Sequence, residues 1–136
     1  MDVNNDDYCF ICGARNPIGL RIKPQVDADA KAATFKLVLP DTYQGWQGLA
    51  HGGIIASLLD EVSAYAAMSI AEPIVTAQLN VRYAKPVPVG ELLTLQGRVT
   101  AQKGRSIMTE AELHHGQEIK AFAEGRLVII KKPNSA

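Results

Sequence analysis

The sequence predicts an α+β domain in which one long helix packs on an antiparallel sheet. Three observations carry that prediction. One stretch, about residues 51–70, sets apolar side chains at helical spacing. Four stretches after it alternate apolar and polar residues with a period of two, joined by short turns. One more strand-like stretch stands ahead of it. A helix with one apolar face must bury that face, and an antiparallel sheet with one apolar face receives it.

Residues 1–31 read as an N-terminal extension of low periodicity. Within it, `CFICGARNPIGL` brings together Cys9, Cys12, Gly13, Asn16, Pro17 and Gly19, which is turn chemistry around a few apolar anchors. The main domain spans 32–130. Its first strand, `ATFKLVL` at 33–39, puts Phe35, Leu37 and Leu39 on one face and stops at Pro40. Residues 41–50 form a loop with two glycines and the aromatic pair Tyr43 and Trp46. The helix follows, with Ile54, Ile55, Leu58, Leu59, Val62 and Ala66 on its apolar face and Pro73 just beyond its end. In `IVTAQLNVRY`, Val75, Ala77, Leu79, Val81 and Tyr83 alternate with Thr76, Gln78, Asn80 and Arg82. `AKPVPVGE` is a Pro/Gly loop, and `LLTLQGRVTAQ` alternates again up to a hairpin turn at `KGR`, residues 103–105. `SIMTEAEL` and `EIKAFAEGRLVII` are the last two strands, joined near `HHGQ`. Residues 131–136 are expected to be a flexible tail.

The chain has 136 residues, enough for one domain that buries roughly two-thirds of its unfolded surface without disulfide or metal. Lys plus Arg and Asp plus Glu number 14 each, so no basic excess points to nucleic acid. The acidic, polar opening `MDVNNDDY` is not expected to act as a secretory leader, and no apolar run reaches the roughly 18 residues of a membrane span. The expected location is cytoplasmic, with no membrane partner, and the two cysteines are expected as thiols.

The helix carries the chemistry. Asp60 sits mid-helix among Ala56, Ser57, Ser63 and Ala64, small residues that let another surface approach an acid. At the helix start, Gly52 and Gly53 leave backbone N–H groups unscreened, and such groups attract negative charge. That start is either an oxyanion site or simply a capped helix end where His51 hydrogen-bonds locally. Gly52 and Asp60 lie eight residues apart, about 12 Å along one helix. They cannot both touch one reacting carbonyl within a single chain. A shared site requires two copies, and a symmetric dimer then holds two such sites.

The run `HGGIIASLLDE`, followed by `TAQLNVRYAKPVPVGE` and `GRVTAQKGRSI`, resembles the hotdog-fold acyl-CoA thioesterases, in particular the phenylacetate-pathway thioesterases and their mammalian relatives. The lead-in `CxxCG…NPxGL` resembles the N-terminus of some members. The resemblance implies an antiparallel sheet wrapped around one central helix, an edge-to-edge homodimer or dimer of dimers, and active sites between subunits. It implies hydrolysis of an acyl-CoA, with coenzyme A entering only as part of the substrate and no further cofactor. Asp60 takes the place of the catalytic general base or nucleophile. The Gly52 N–H takes that of the group polarising the thioester carbonyl. His51 takes the place of the motif histidine that shapes the site, and Thr76 that of a water-orienting hydroxyl, here on the polar face of its strand. Several relatives carry Asn or Gln six residues before the histidine; this chain has Gly45 there, with Gln44 and Gln47 close by.

The `KGR` hairpin, Lys103, Gly104 and Arg105, with Arg82 and Lys85, offers positive charge, and the resemblance places coenzyme A phosphates near the hairpin; a solvated basic turn is the plainer reading. `CFIC` is a lone CxxC, and zinc usually takes four ligands, so no metal site is expected. The segment is expected to pack over the sheet or near the ligand as a lid. Glu61, next to Asp60 but about 100° round the helix, is expected to be structural or to support the site from behind Asp60. Two other functions fit the same residues. A hotdog dehydratase or hydratase would recruit His51 and Asp60 and act on an enoyl-CoA. A non-catalytic acyl-CoA sensor would keep the pocket without the amide that Gly45 lacks.

Overall fold

A computed structural model describes residues 2–130; the tail expected at 131–136 lies outside the described residues. Strands β1 (Gln25–Asp27) and β2 (Ala32–Val38) come first, and a 3-10 turn at Asp41–Tyr43 leads towards helix α1 (Gly52–Met68). Strands β3 (Ile74–Tyr83), β4 (Leu92–Lys103), β5 (Ser106–His115) and β6 (Glu118–Ile129) follow. Across the sheet the order is β1-β2-β4-β5-β6-β3, and every pairing is antiparallel. The strand after the helix therefore runs to the far edge, where β3 is paired on one side only among the described residues. The helix packs against β2, β4, β5, β6 and β3 at once, so the sheet wraps it. This is the hotdog arrangement. No helix among the described residues is long and apolar enough to cross a membrane.

The core follows from the two periodicities. Ile55, Leu58, Leu59, Val62 and Ala66 of α1 meet Leu93 and Leu95 of β4, Ala111 and Leu113 of β5, and Ala121 and Ala123 of β6. Each fully buried Leu adds about 1.5–3 kcal/mol of transfer free energy. Gly97 sets how closely the helix approaches. A Cβ there would fall 2.8 Å from the Val62 carbonyl oxygen, so only glycine lets α1 settle on β4.

Two features escaped the sequence reading. The first is β1, which pairs with β2 inside the stretch read as aperiodic extension. That stretch also sends Ile11, 2% exposed, into the main core, with Leu20 and Ile22 packed beside it. The second is a β-bulge in β3. Thr76 pairs with Leu127 and Gln78 with Arg126, so Ala77 is an extra residue. The bulge reverses the strand's facing. Ile74 packs inward before it, and Leu79 and Val81 pack inward after it. The clean alternation expected through 74–83 is thus broken. Thr76 lies on the helix-facing side with Ile74, not on the outer polar face where an unbroken strand would put it.

Candidate active site

The start of α1 is built to present one N–H. His51 is the N-cap, with extended backbone (φ −62, ψ 139), and its Nδ1 accepts the Gly53 N–H at 2.8 Å. The neutral ring then carries its proton on Nε2. The His51 carbonyl accepts the N–H groups of Ile54 and Ile55, both at 3.0 Å, which fixes the peptide between His51 and Gly52. The Gly52 carbonyl accepts the Tyr83 hydroxyl at 2.8 Å from the end of β3. The Gly52 N–H itself makes no hydrogen bond among the described residues. The loop ahead is also pinned: His51 N–H donates to the Tyr43 carbonyl, and Ala50 N–H to that of Val87. The local reading of the helix start is met, since His51 caps through Gly53, and that cap does not use the Gly52 N–H.

Asp60 lies half-buried on α1, and its Oδ1 accepts the Thr76 hydroxyl at 2.6 Å. The bulge at Ala77 makes this bond possible by turning Thr76 toward the helix. Ala56, Ser57 and Ala64 flank the acid half-buried, whereas Ser63 is fully buried and bonds the Leu59 carbonyl. The small-residue face is therefore narrower than the sequence spacing implied.

These residues form two separate groups. Asp60 and Thr76 belong to the end of β3 that holds the bulge; Gly52, His51 and Tyr83 belong to the other end. Tyr83 is the functional candidate that sequence reasoning missed. Its only signal was an aromatic at the last alternating position of a strand, which reads equally as packing.

The other candidates fall as follows. The β4–β5 turn is a two-residue hairpin with Gly104 at φ +59, a region glycine enters without steric cost. Lys103, Gly104 and Arg105 are exposed there. Ser106 pairs with Val128, and Val128 with Val75, so the hairpin sits at the Asp60–Thr76 end. Arg82 does not join it. Its guanidinium lies 5.5 Å from the Phe122 ring centre, and Phe122 is six residues, about 20 Å, along β6 from Val128. Trp46 is 84% exposed, while the Tyr43 hydroxyl donates to the Ile18 carbonyl and ties the lead-in down. At the position expected to hold an amide, a Cβ on Gly45 would stand 3.3 Å from His51 Cα. The neighbouring Gln44 already accepts the Gly48 N–H.

Glu61 faces away from Thr76 toward the N-terminal loop, where its Oε2 lies 4.0 Å from Cys9 Sγ. Burial raises its pKa, and the charge of Asp60 adds to the rise. Burial beside Glu61 pushes the Cys12 thiol up to about 12. A cleft of about 670 Å³ opens next to this cluster, lined in part by Asn4, Asn5, Tyr65 and Met68.

Known proteins share this architecture and sequence. The model of the thioesterase superfamily matches residues 47–122, more than half of the chain. An acyl-coenzyme A thioesterase of Xenopus laevis, THEM4, is 28% identical over 96 residues, 70% of this chain and 43% of the relative. The chain thus spans less than half the length of that curated relative. The crystal structure of RHA08564, described as a thioesterase superfamily protein, aligns with a TM-score of 0.79 and 31% identity over 87% of this chain and 61% of its own. The smu.793 protein of Streptococcus mutans, solved bound to acetyl CoA, aligns with a TM-score of 0.74 and 20% identity over 83% of this chain and 91% of its own. The match to the superfamily model covers the helix start, Asp60, Thr76 and Tyr83, and on that match this chain belongs to the thioesterase superfamily.

Proposed function

We propose that this chain hydrolyses an acyl-CoA thioester to the free acid and coenzyme A, as a cytoplasmic homodimer or dimer of dimers. The observation that carries this reading is the 2.6 Å hydrogen bond from Thr76 to Asp60 Oδ1. It fixes the carboxylate and leaves Oδ2 to accept a proton from water. Asp60 takes that proton as the water oxygen bonds to the thioester carbon, and the carbonyl π pair moves onto oxygen. The N–H of Gly52 of the partner subunit donates to that oxyanion. When the carbonyl re-forms, the C–S bond breaks and the departing thiolate takes the proton back from Asp60. Direct attack by Asp60, through a mixed anhydride, uses the same positions.

The open edge of β3 supports the dimer. Ten residues long, it has Thr76 near one end and Tyr83 at the other. Two such edges paired antiparallel set the Asp60–Thr76 half of one chain opposite the Gly52–Tyr83 half of its partner. The hairpin cations, Arg105 foremost, lie at the Asp60 end, where a two-bond guanidinium grip on coenzyme A phosphate fits the substrate's length. The likeness to an acyl-CoA thioesterase and to a fold that holds acetyl CoA supports the same substrate class.

Asp60→Asn keeps the shape of the side chain and removes the base. It is expected to lower kcat for acyl-CoA hydrolysis about a hundredfold or more, with the circular dichroism spectrum unchanged. Undiminished turnover would sink the assignment. Gly45 favours a second reading, binding without catalysis, because it puts no side-chain amide at the position where several relatives carry one. Acyl-CoA binding without thiol release in an Ellman assay would select it.

A further inference from the structure

We propose that Cys9, Cys12 and Glu61 form a binding site for a soft divalent cation of the zinc class, which fastens the N-terminal loop to the central helix. Sequence alone shows two ligands three residues apart; the fold adds a third from an element 49 residues downstream of Cys12. One ligand atom from each residue lies within 4.8 Å of the others. Tetrahedral zinc, with Zn–S about 2.3 Å and Zn–O about 2.0–2.2 Å, sets its ligand atoms roughly 3.5–3.8 Å apart. The gap left to close is about 1 Å.

The loop is shaped for it. Gly13 N–H donates to the Cys9 carbonyl at 2.8 Å, and Ile11 N–H points to Cys9 Sγ at 3.4 Å. A Cβ on Gly13 would fall 2.4 Å from the Cys9 nitrogen, so glycine is what lets the turn close and bring Cys12 back to Cys9. Ile11, between the two cysteines, is anchored in the core, and Asp7 braces the turn by accepting the Ala14 N–H at 3.1 Å. Both sulfurs thus face α1 from a fixed loop. Two thiolates select zinc over magnesium or calcium. Three protein ligands leave a fourth position for water or an external donor, on the side of the cleft lined by Tyr65 and Met68. Binding would tie the loop to the helical turn that carries Asp60 and stabilise the fold by mass action.

The test uses the full chain, reduced and stripped of metal, titrated with Co²⁺ and then Zn²⁺. The wild type is expected to show thiolate-to-cobalt charge-transfer absorption that saturates at one ion per chain and is displaced by Zn²⁺, with a rise in Tm. Cys9→Ser and Cys12→Ser should each lose the absorption. Glu61→Gln, a change on a half-exposed helix face, should keep its fold and bind more weakly by at least the roughly 10–100-fold that loss of an outer-shell partner costs. Any of three results would overturn the proposal. One is the absence of charge transfer, as from ions held by His114 and His115 or from thiols merely packed against Glu61. Another is saturation at half an ion per chain, meaning two loops share it. The third is wild-type affinity in Glu61→Gln.

Discussion

Gly52 contributes an N–H and no side chain, and its neighbours decide where that N–H points. His51 holds the next amide, and Tyr83 holds the next carbonyl at 2.8 Å. Tyr83→Phe removes one hydrogen bond, worth about 0.5–1.5 kcal/mol, and keeps the ring, which lies 3.6 Å from where a Cβ on Gly52 would stand. The expected result is a kcat lowered about two- to tenfold with KM near wild type, in steady-state acyl-CoA hydrolysis. His51, Gly52 and Asp60 were singled out by helical spacing and glycine chemistry, and only the family resemblance gave them roles. Tyr83 was not, since an aromatic at a strand end carries no mark of its partner. Thr76 was found but set on the wrong face, because a bulge at Ala77 leaves no signature in an alternating sequence. Glu61 was read only by its angle from Asp60; its approach to Cys9 depends on a loop that no periodicity describes.

At the scale of elements, the helix, the four long strands after it and their turns followed from period and punctuation. Strand β1 did not, because three exposed residues show no alternation. Nor did the close approach of α1 to β4, which rests on Gly97. Gly97→Ala puts a methyl group 2.8 Å from the Val62 carbonyl oxygen and is expected to lower the unfolding free energy by about 1–3 kcal/mol in urea titration. The β5–β6 turn carries a surface charge cluster in which Glu118 meets Lys85 and Lys120. Hydrogen bonds from Lys120 and then Lys85 hold the Glu118 carboxyl down at about 2, from an ordinary 4.5. A carboxyl with a lowered folded-state pKa stabilises above its unfolded value and loses that contribution as the pH falls through the folded one. The window is therefore about pH 4.5 down to about 2. Because the group is exposed, the effect is small. Over that window, the Tm of Glu118→Gln should fall slightly less than that of the wild type.

At the scale of the whole molecule, the central claim is that one chain holds two half-sites and completes neither. Helix rise sets the condition for it, and the separation of Thr76 from Tyr83 along β3 offers an edge across which two chains would meet it. Complementation tests it most directly. Proline is tolerated at the first helical position, and the extended backbone of His51 suits a following proline, so Gly52→Pro deletes the N–H with little strain. Alone, Gly52→Pro should lose about 10²–10³ in kcat, and Asp60→Asn should lose at least a comparable amount. Unfolded together and refolded as an equal mixture, half of the dimers pair one variant with the other. Each mixed dimer joins one intact Asp60 to one intact Gly52, so the account predicts recovery of about a quarter of wild-type turnover. A mixture no more active than its two inactive parents would contradict it.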